Sequence, residues 1–125
     1  MSSPTPTTLV LGASPQADRY SHQAVLLLKR CGYEVLALGN RSGTIGDVPI
    51  YTNWGTLPTT TIDTITLYIG AERQADYYNY ILSTRPRRII FNPGAENPAL
   101  EQLARATGIQ TLDACTLVML RTNQY

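Results

Sequence analysis

The feature that most constrains this fold is a short apolar run that ends on a turn of small residues and passes into a helical pattern. Thr8-Leu9-Val10-Leu11 has the length and flanks of a buried strand, and Gly12-Ala13-Ser14 follows at once. From Arg19 to Cys31 the apolar residues take up a helical period. Tyr20, Ala24, Leu27, Leu28 and Cys31 share one face, and Gly32 supplies a C-terminal stop. Tyr33 to Leu38 then reads as a second strand. A strand, a crossover helix and a second strand of these lengths make one βαβ unit, which forces parallel pairing.

The rest of the chain repeats the alternation. Arg41 to Pro58 is rich in Gly and Pro and leaves room for an edge strand near Ile50-Tyr51. Asp63 to Ile69 is a clearer strand, because Ile65, Leu67 and Ile69 alternate with Thr64, Thr66 and Tyr68. Glu72 to Thr84 is expected as one helix with Ala75, Tyr78, Ile81 and Leu82 inward, ended by Pro86. Arg88 to Phe91 is a further strand. Asn97 is a good N-cap with Pro98 at the first helical position, and Leu100, Leu103 and Ala104 form the buried stripe up to Gly108. Ile109 to Leu112 closes the series. The pattern predicts an α/β, Rossmann-like three-layer domain with a mostly parallel sheet of five to six strands.

Length and charge narrow the class. A chain of 125 residues has room for one core, taken as a single domain over residues 8–125 after a short disordered arm, residues 1–7, rich in Ser, Thr and Pro. The net charge of +1 and scattered basic residues give no footprint for nucleic acid, and the cluster Arg85, Arg87, Arg88 falls at a helix-to-strand corner. Charged residues make up 15%, against a usual figure of roughly 25%, so much of the surface is neutral, which suits a homo-oligomer. No apolar run approaches the ~20 residues that span a bilayer, so no membrane partner is expected. Two cysteines, Cys31 and Cys115, and no secretory leader point to a reduced, cytoplasmic setting.

In open α/β sheets the ligand lies beyond the carboxyl ends of the strands. Here that edge comprises Gly12–Tyr20, Gly39–Arg41, Gly70–Arg73, Asn92–Glu96 and Ala114–Thr116. Gly12-Ala13-Ser14 is the strongest element, since small residues ahead of a helix N-terminus let backbone N–H groups meet an anion. It is not the dinucleotide fingerprint G-x-G-x-x-G. An NAD site would also want Asp or Glu after the second strand, where this chain has Gly39-Asn40-Arg41, and Arg41 favours a phosphate. Arg19 and Tyr20 flank the same helix entrance. Asn92-Pro93-Gly94 has the residues of a type II turn.

The ordered pieces VLGASP (Val10–Pro15), Leu28…Cys31-Gly32-Tyr33-Glu34-Val35, Asn40, Gly46…Val48-Pro49-Ile50-Tyr51…Leu57-Pro58 with Asp63, FNPGAEN (Phe91–Asn97) and Ala104…Gly108-Ile109 up to Cys115 resemble one family. It is that of the small bacterial CoA-binding proteins of Rossmann type, related to the CoA-binding domain of succinyl-CoA synthetase. The resemblance implies coenzyme A as cofactor, with Gly12, Ala13 and Ser14 around its diphosphate and Asn40 beside the adenosine. Ile69, Gly70, Asn92 and Gly94 would border the groove. The chain departs from the family in having Asn40-Arg41 where Asn-Pro is common. It also has Ile69-Gly70-Ala71 where an arginine is common, a loss that Arg41 or Arg19 would have to offset.

The catalytic signal is weak. His22 is the only histidine and has no companion base, no metal set is evident, and Cys115, on the ligand edge, is the one candidate reactive thiol. The preferred reading is non-catalytic binding of CoA or an acyl-CoA. Two others stay open: an NAD(P)-binding redox or sensor protein, and an oligomeric interaction module with a degenerate nucleotide site. In the last, the apolar tail Leu117–Leu120 would pack on another subunit.

Overall fold

A computed structural model describes residues 6–125. The first five residues, most of the expected N-terminal arm, lie outside it. Strand β1 (Thr7–Leu11) runs at the centre of the molecule and leads through the small-residue turn to helix α1 (Tyr20–Arg30) and strand β2 (Glu34–Leu38). A hairpin, β3 (Gly43–Ile45) and β4 (Val48–Tyr51), follows, and one 3₁₀ turn covers Trp54–Thr56. Beyond β5 (Thr64–Leu67) come α2 (Ala71–Gln74), a 3₁₀ turn and α3 (Tyr78–Ser83). The chain finishes with β6 (Arg88–Phe91), α4 (Pro98–Ala106), β7 (Gln110–Asp113) and α5 (Thr116–Arg121).

The strands form one seven-stranded sheet in the order β3-β4-β2-β1-β5-β6-β7. Every pairing is parallel except β3 with β4. The strand beyond the expected five to six is β3, whose sequence Gly43-Thr44-Ile45 is too short to carry a period. It is held because Gly46, at φ +60°, lets the chain reverse onto β4.

Both faces of the sheet are covered, and alternation along the strands decides which side chain goes where. Leu9, Leu11, Ile65, Leu67, Ile89 and Phe91 meet Ile81 of α3 and Leu100 and Ala104 of α4. On the other face Val10, Val35 and Ala37 meet Val25 and Leu28 of α1, with Leu120 of α5 packed against them. The inner stripe of α1 is Ser21, Ala24, Val25 and Leu28, a regular i, i+3, i+4, i+7 series. The stripe expected from sequence was rotated by part of a turn. Tyr20 is 71% exposed, and Cys31 lies beyond the helix on the surface. Leu103 of α4 also faces outward, because Leu100 and Ala104 fill the contact with the sheet.

The expected helix Glu72–Thr84 is broken. Gln74 is fully buried, which pulls the first turn inward, and Ala75–Tyr77 continues as a 3₁₀ turn before α3 begins. Pro86 acts as anticipated: it bars αR from Arg85, which sits at φ +47°. The tail run becomes α5. Leu117 is buried and Leu120 joins the core beside α1, so this run finds its cover within the chain, while Val118 stays outside.

Candidate functional site

The strand order reverses direction at β1: β2 lies on one side and β5 on the other. A groove of about 730 Å³ opens beyond the carboxyl ends of these three strands. Its floor includes Leu11, Leu38 and Ile69. One wall is the turn Gly12-Ala13-Ser14 with Arg19 and Tyr20 at the entrance of α1, and another is Asn40-Arg41. The far side carries Arg73 and Tyr77, with Pro93 at the rim.

Close packing between backbones builds this groove. Gly12 adopts φ +102°, and a Cβ there would lie 2.8 Å from Ile69 Cγ2 and 3.1 Å from the Tyr68 carbonyl carbon. A Cβ on Gly39 would lie 2.1 Å from the Ala13 carbonyl oxygen. The turns after β1 and β2 therefore touch main chain to main chain. The Gly12 and Ala13 N–H groups both donate to the Leu38 carbonyl, at 2.8 and 3.0 Å.

That pair of hydrogen bonds changes the role expected of the turn. The Gly12 and Ala13 amides are committed to β2, so these residues shape the cradle and hold it against the sheet. The uncommitted donors of this turn come one step later. Ser14 N–H has no protein acceptor among the described residues, and the Ser14 hydroxyl accepts from Gln16 N–H at 3.1 Å, leaving its own proton to donate. Helix α1 adds its open N-terminus: Arg19 at the cap makes no side-chain cap bond, and the first turn carries no acid. His22 reaches back to the Ser14 carbonyl with Nδ1 at 3.0 Å. A carbonyl only accepts, so Nδ1 carries the proton and the ring braces the turn.

Arg19, Arg41 and Arg73 line the groove with Asp18 as the one carboxylate among its walls. Arg73 was missed among the candidate residues, although Gly70–Arg73 was expected at this edge. It stands three residues beyond Gly70, in the first turn after β5, and supplies a cation on the side where Ile69-Gly70-Ala71 has none. Tyr68 and Tyr77 were also missed: Tyr68 reads only as the outer position of a strand, and the tyrosine-rich stretch around Tyr77 gives no hint of which ring turns to a cleft. Burial pushes the Tyr68 phenol up to about 12, and its buried hydroxyl has no hydrogen-bond partner. It therefore stays protonated and serves as a wall.

Other candidates fall outside the groove walls. Asn92 is buried and spends its amide internally: Nδ2 donates to Thr66 Oγ1 at 2.6 Å and the Leu67 carbonyl at 2.9 Å, and Oδ1 accepts from Thr116 N–H at 2.8 Å. It ties β5, β6 and α5 together, the structural alternative to ligand contact. Gly94, at φ +93°, completes the turn closed by Ala95 N–H on the Asn92 carbonyl. Gly70 caps α2 beside the groove. Cys115 caps α5, is half-buried and does not line the groove.

Comparisons with known proteins show the family and the fold. A family profile described as "CoA binding domain" matches residues 6–121. A crystal structure of an uncharacterized protein is 40% identical and superposes with a TM-score of 0.91, covering 98% of this chain and 100% of that one. A protein of Thermus thermophilus, known from its structure as cell-free ID.343, shares the fold at 20% identity and a TM-score of 0.84 over 97% of this chain and 91% of its own. The fold also recurs in a dinucleotide-forming acetyl-coenzyme A synthetase 1 of Ca. Korarchaeum cryptofilum, solved with phosphate and ADP. The match there is at 14% identity and a TM-score of 0.69, over 88% of this chain and 26% of that one. No curated protein sequence matches the chain. With the profile spanning nearly all of the described residues, the chain belongs to the CoA-binding domain family.

Proposed function

We propose that this protein binds coenzyme A or an acyl-CoA without transforming it. The observation that carries the reading is the groove at the β1 switch point, where Ser14, the open end of α1 and three arginines converge. The cofactor's diphosphate lies against Ser14 N–H, its hydroxyl and the α1 N-terminus. Arg19, Arg41 and Arg73 offset the charge of the diphosphate and of the ribose phosphate, and Asn40-Arg41 flanks the adenosine. An NAD-type site is disfavoured, since the end of β2 offers Gly39-Asn40-Arg41 and no carboxylate for a ribose diol. The one histidine is engaged with the Ser14 carbonyl, which supports a binding role over acid–base chemistry.

Thermal-shift and calorimetric titrations with CoA, acetyl-CoA, NAD and NADP test the proposal. CoA at about a hundredfold excess over its Kd should stabilise the fold by about 2.7 kcal/mol, a rise in Tm of roughly 10 °C for a chain of this size. Stabilisation by NAD alone would overturn it.

A further inference from the structure

We infer that Gln74 is the positioning residue of this groove, holding two of its rims in register without touching the ligand. Gln74 is fully buried and lies behind the groove wall. Its Nε2 donates to the Ile69 carbonyl at 2.9 Å and to the Ala95 carbonyl at 2.7 Å. Both partners only accept, which fixes the amide's orientation. Its Oε1 accepts from Asn97 Nδ2 at 2.9 Å, and that nitrogen also donates to the Tyr78 hydroxyl at 2.7 Å.

The two carbonyls belong to different loops. Ile69 opens the segment after β5 that carries Arg73 into the groove, and its side chain sits under Gly12. Ala95 closes the turn after β6 that puts Pro93 on the rim. These loops follow neighbouring strands, whose ends Asn92 ties together at the Leu67 carbonyl; further out, Gln74 is the side chain that bonds both loop backbones among the described residues. Beyond the strand ends, one buried amide thus holds the two loops together. It also explains the broken helix, because a regular turn continuing from Ala71 is abandoned just after Gln74 has reached both carbonyls. Burying an amide is tolerable only when its hydrogen bonds are made, so loss of Gln74 frees both loops at once.

The ligand part of this inference rests on the CoA-binding reading, but the bridge can be measured without a ligand. Gln74→Met keeps length and apolar bulk while removing every hydrogen bond. Gln74→Glu keeps the shape and the acceptor for Asn97 but loses both donors at neutral pH. Amide hydrogen exchange of the unliganded protein should accelerate about tenfold or more at Arg73 and Ala95, and remain unchanged at Gly12 and Tyr68. Faster exchange at only one loop, or a uniform rise across the sheet, overturns the inference. For CoA, Arg73→Ala should cost affinity in the wild type but no more than about twofold in the Gln74→Met background, since the arginine is already misplaced. Additive losses in that cycle also overturn it. Failure of the wild type to bind CoA would refute the site reading alone, with the exchange pattern still deciding the bridge.

Discussion

Gly39 carries no side chain because the Ala13 carbonyl occupies the place a Cβ would take, at 2.1 Å. Gly39→Ala must push the first two turns apart, and overpacking of this kind costs about 1–3 kcal/mol. The expected outcome is a lower urea midpoint together with weaker CoA binding, because the displaced turn is the one that presents Ser14. Gly12→Val goes further, adding a β-branched side chain at φ +102° against Ile69, and should abolish the CoA-induced rise in Tm. Ser14→Ala removes one ordinary hydrogen bond and should weaken binding by about 1 kcal/mol, close to fivefold, in calorimetry. Wild-type affinity in Gly12→Val would place the ligand elsewhere. At this scale the sequence was informative where a residue type has one physical use. Gly12 and Ser14 could be picked out from a turn between strand and helix. That the Gly12 and Ala13 amides point to Leu38 was not legible, since it depends on where β2 ends beside β1.

Among the elements, α4 shows how a local signal and a tertiary one meet in a single residue. Asn97 Oδ1 accepts from Leu100 N–H at 3.2 Å, the cap that Asn97-Pro98 announces, while its Nδ2 serves Gln74 and Tyr78. Asn97→Ala therefore loses a cap, worth about 1 kcal/mol, and leaves a buried acceptor on Gln74 unpaired, worth about 1–3 kcal/mol. A fall in Tm of roughly 10 °C is expected in calorimetry; a fall of only about 4 °C would mean that the cap alone matters. The corner between β5 and β6 behaves differently. Arg87 Nε and Nη2 grip the Asp63 carboxylate at 3.0 and 3.2 Å, and this hydrogen bonding holds its pKa below the usual 3.8. The stabilisation is present above the unfolded value and is lost as pH falls through the lower, folded value. Asp63→Asn should thus reduce stability at pH 7 by roughly 0.2–1 kcal/mol, given the exposure of Arg87, and the difference from wild type should shrink as pH falls below 3.8 and close once it passes the lower, folded value. Strands and caps were legible because period and residue type define them locally. The break after Gln74 was not, because apolar spacing at Ala75, Tyr78, Ile81 and Leu82 looks the same whether or not a buried amide is being pulled across to Ala95.

For the whole molecule, the distribution of charge matters more than its total. The net charge of +1 offers no general attraction for polyanions, yet Arg19, Arg41 and Arg73 face one groove with Asp18 as the only carboxylate on its walls. Under the CoA-binding reading, selection for a phosphorylated ligand is a local property, produced where α/β topology gathers the loops after β1, β2 and β5 at one edge. Sequence periodicity was enough to place that edge, but not to say that residues from three separated loops would bring their guanidinium groups to one cleft. Attraction across an open groove is screened by salt, with a Debye length of about 10 Å at 0.1 M ionic strength. The Kd for CoA should weaken by roughly an order of magnitude between about 20 and 300 mM salt, and replacing Arg41 and Arg73 by Ala should flatten that dependence as well as lower the affinity. Calorimetric titration across this range decides the matter. A wild-type Kd insensitive to salt would mean that hydrogen bonds from Ser14 and α1 carry recognition without the arginines. The same slope in the double variant would assign the field to Arg19 alone, at the mouth of α1.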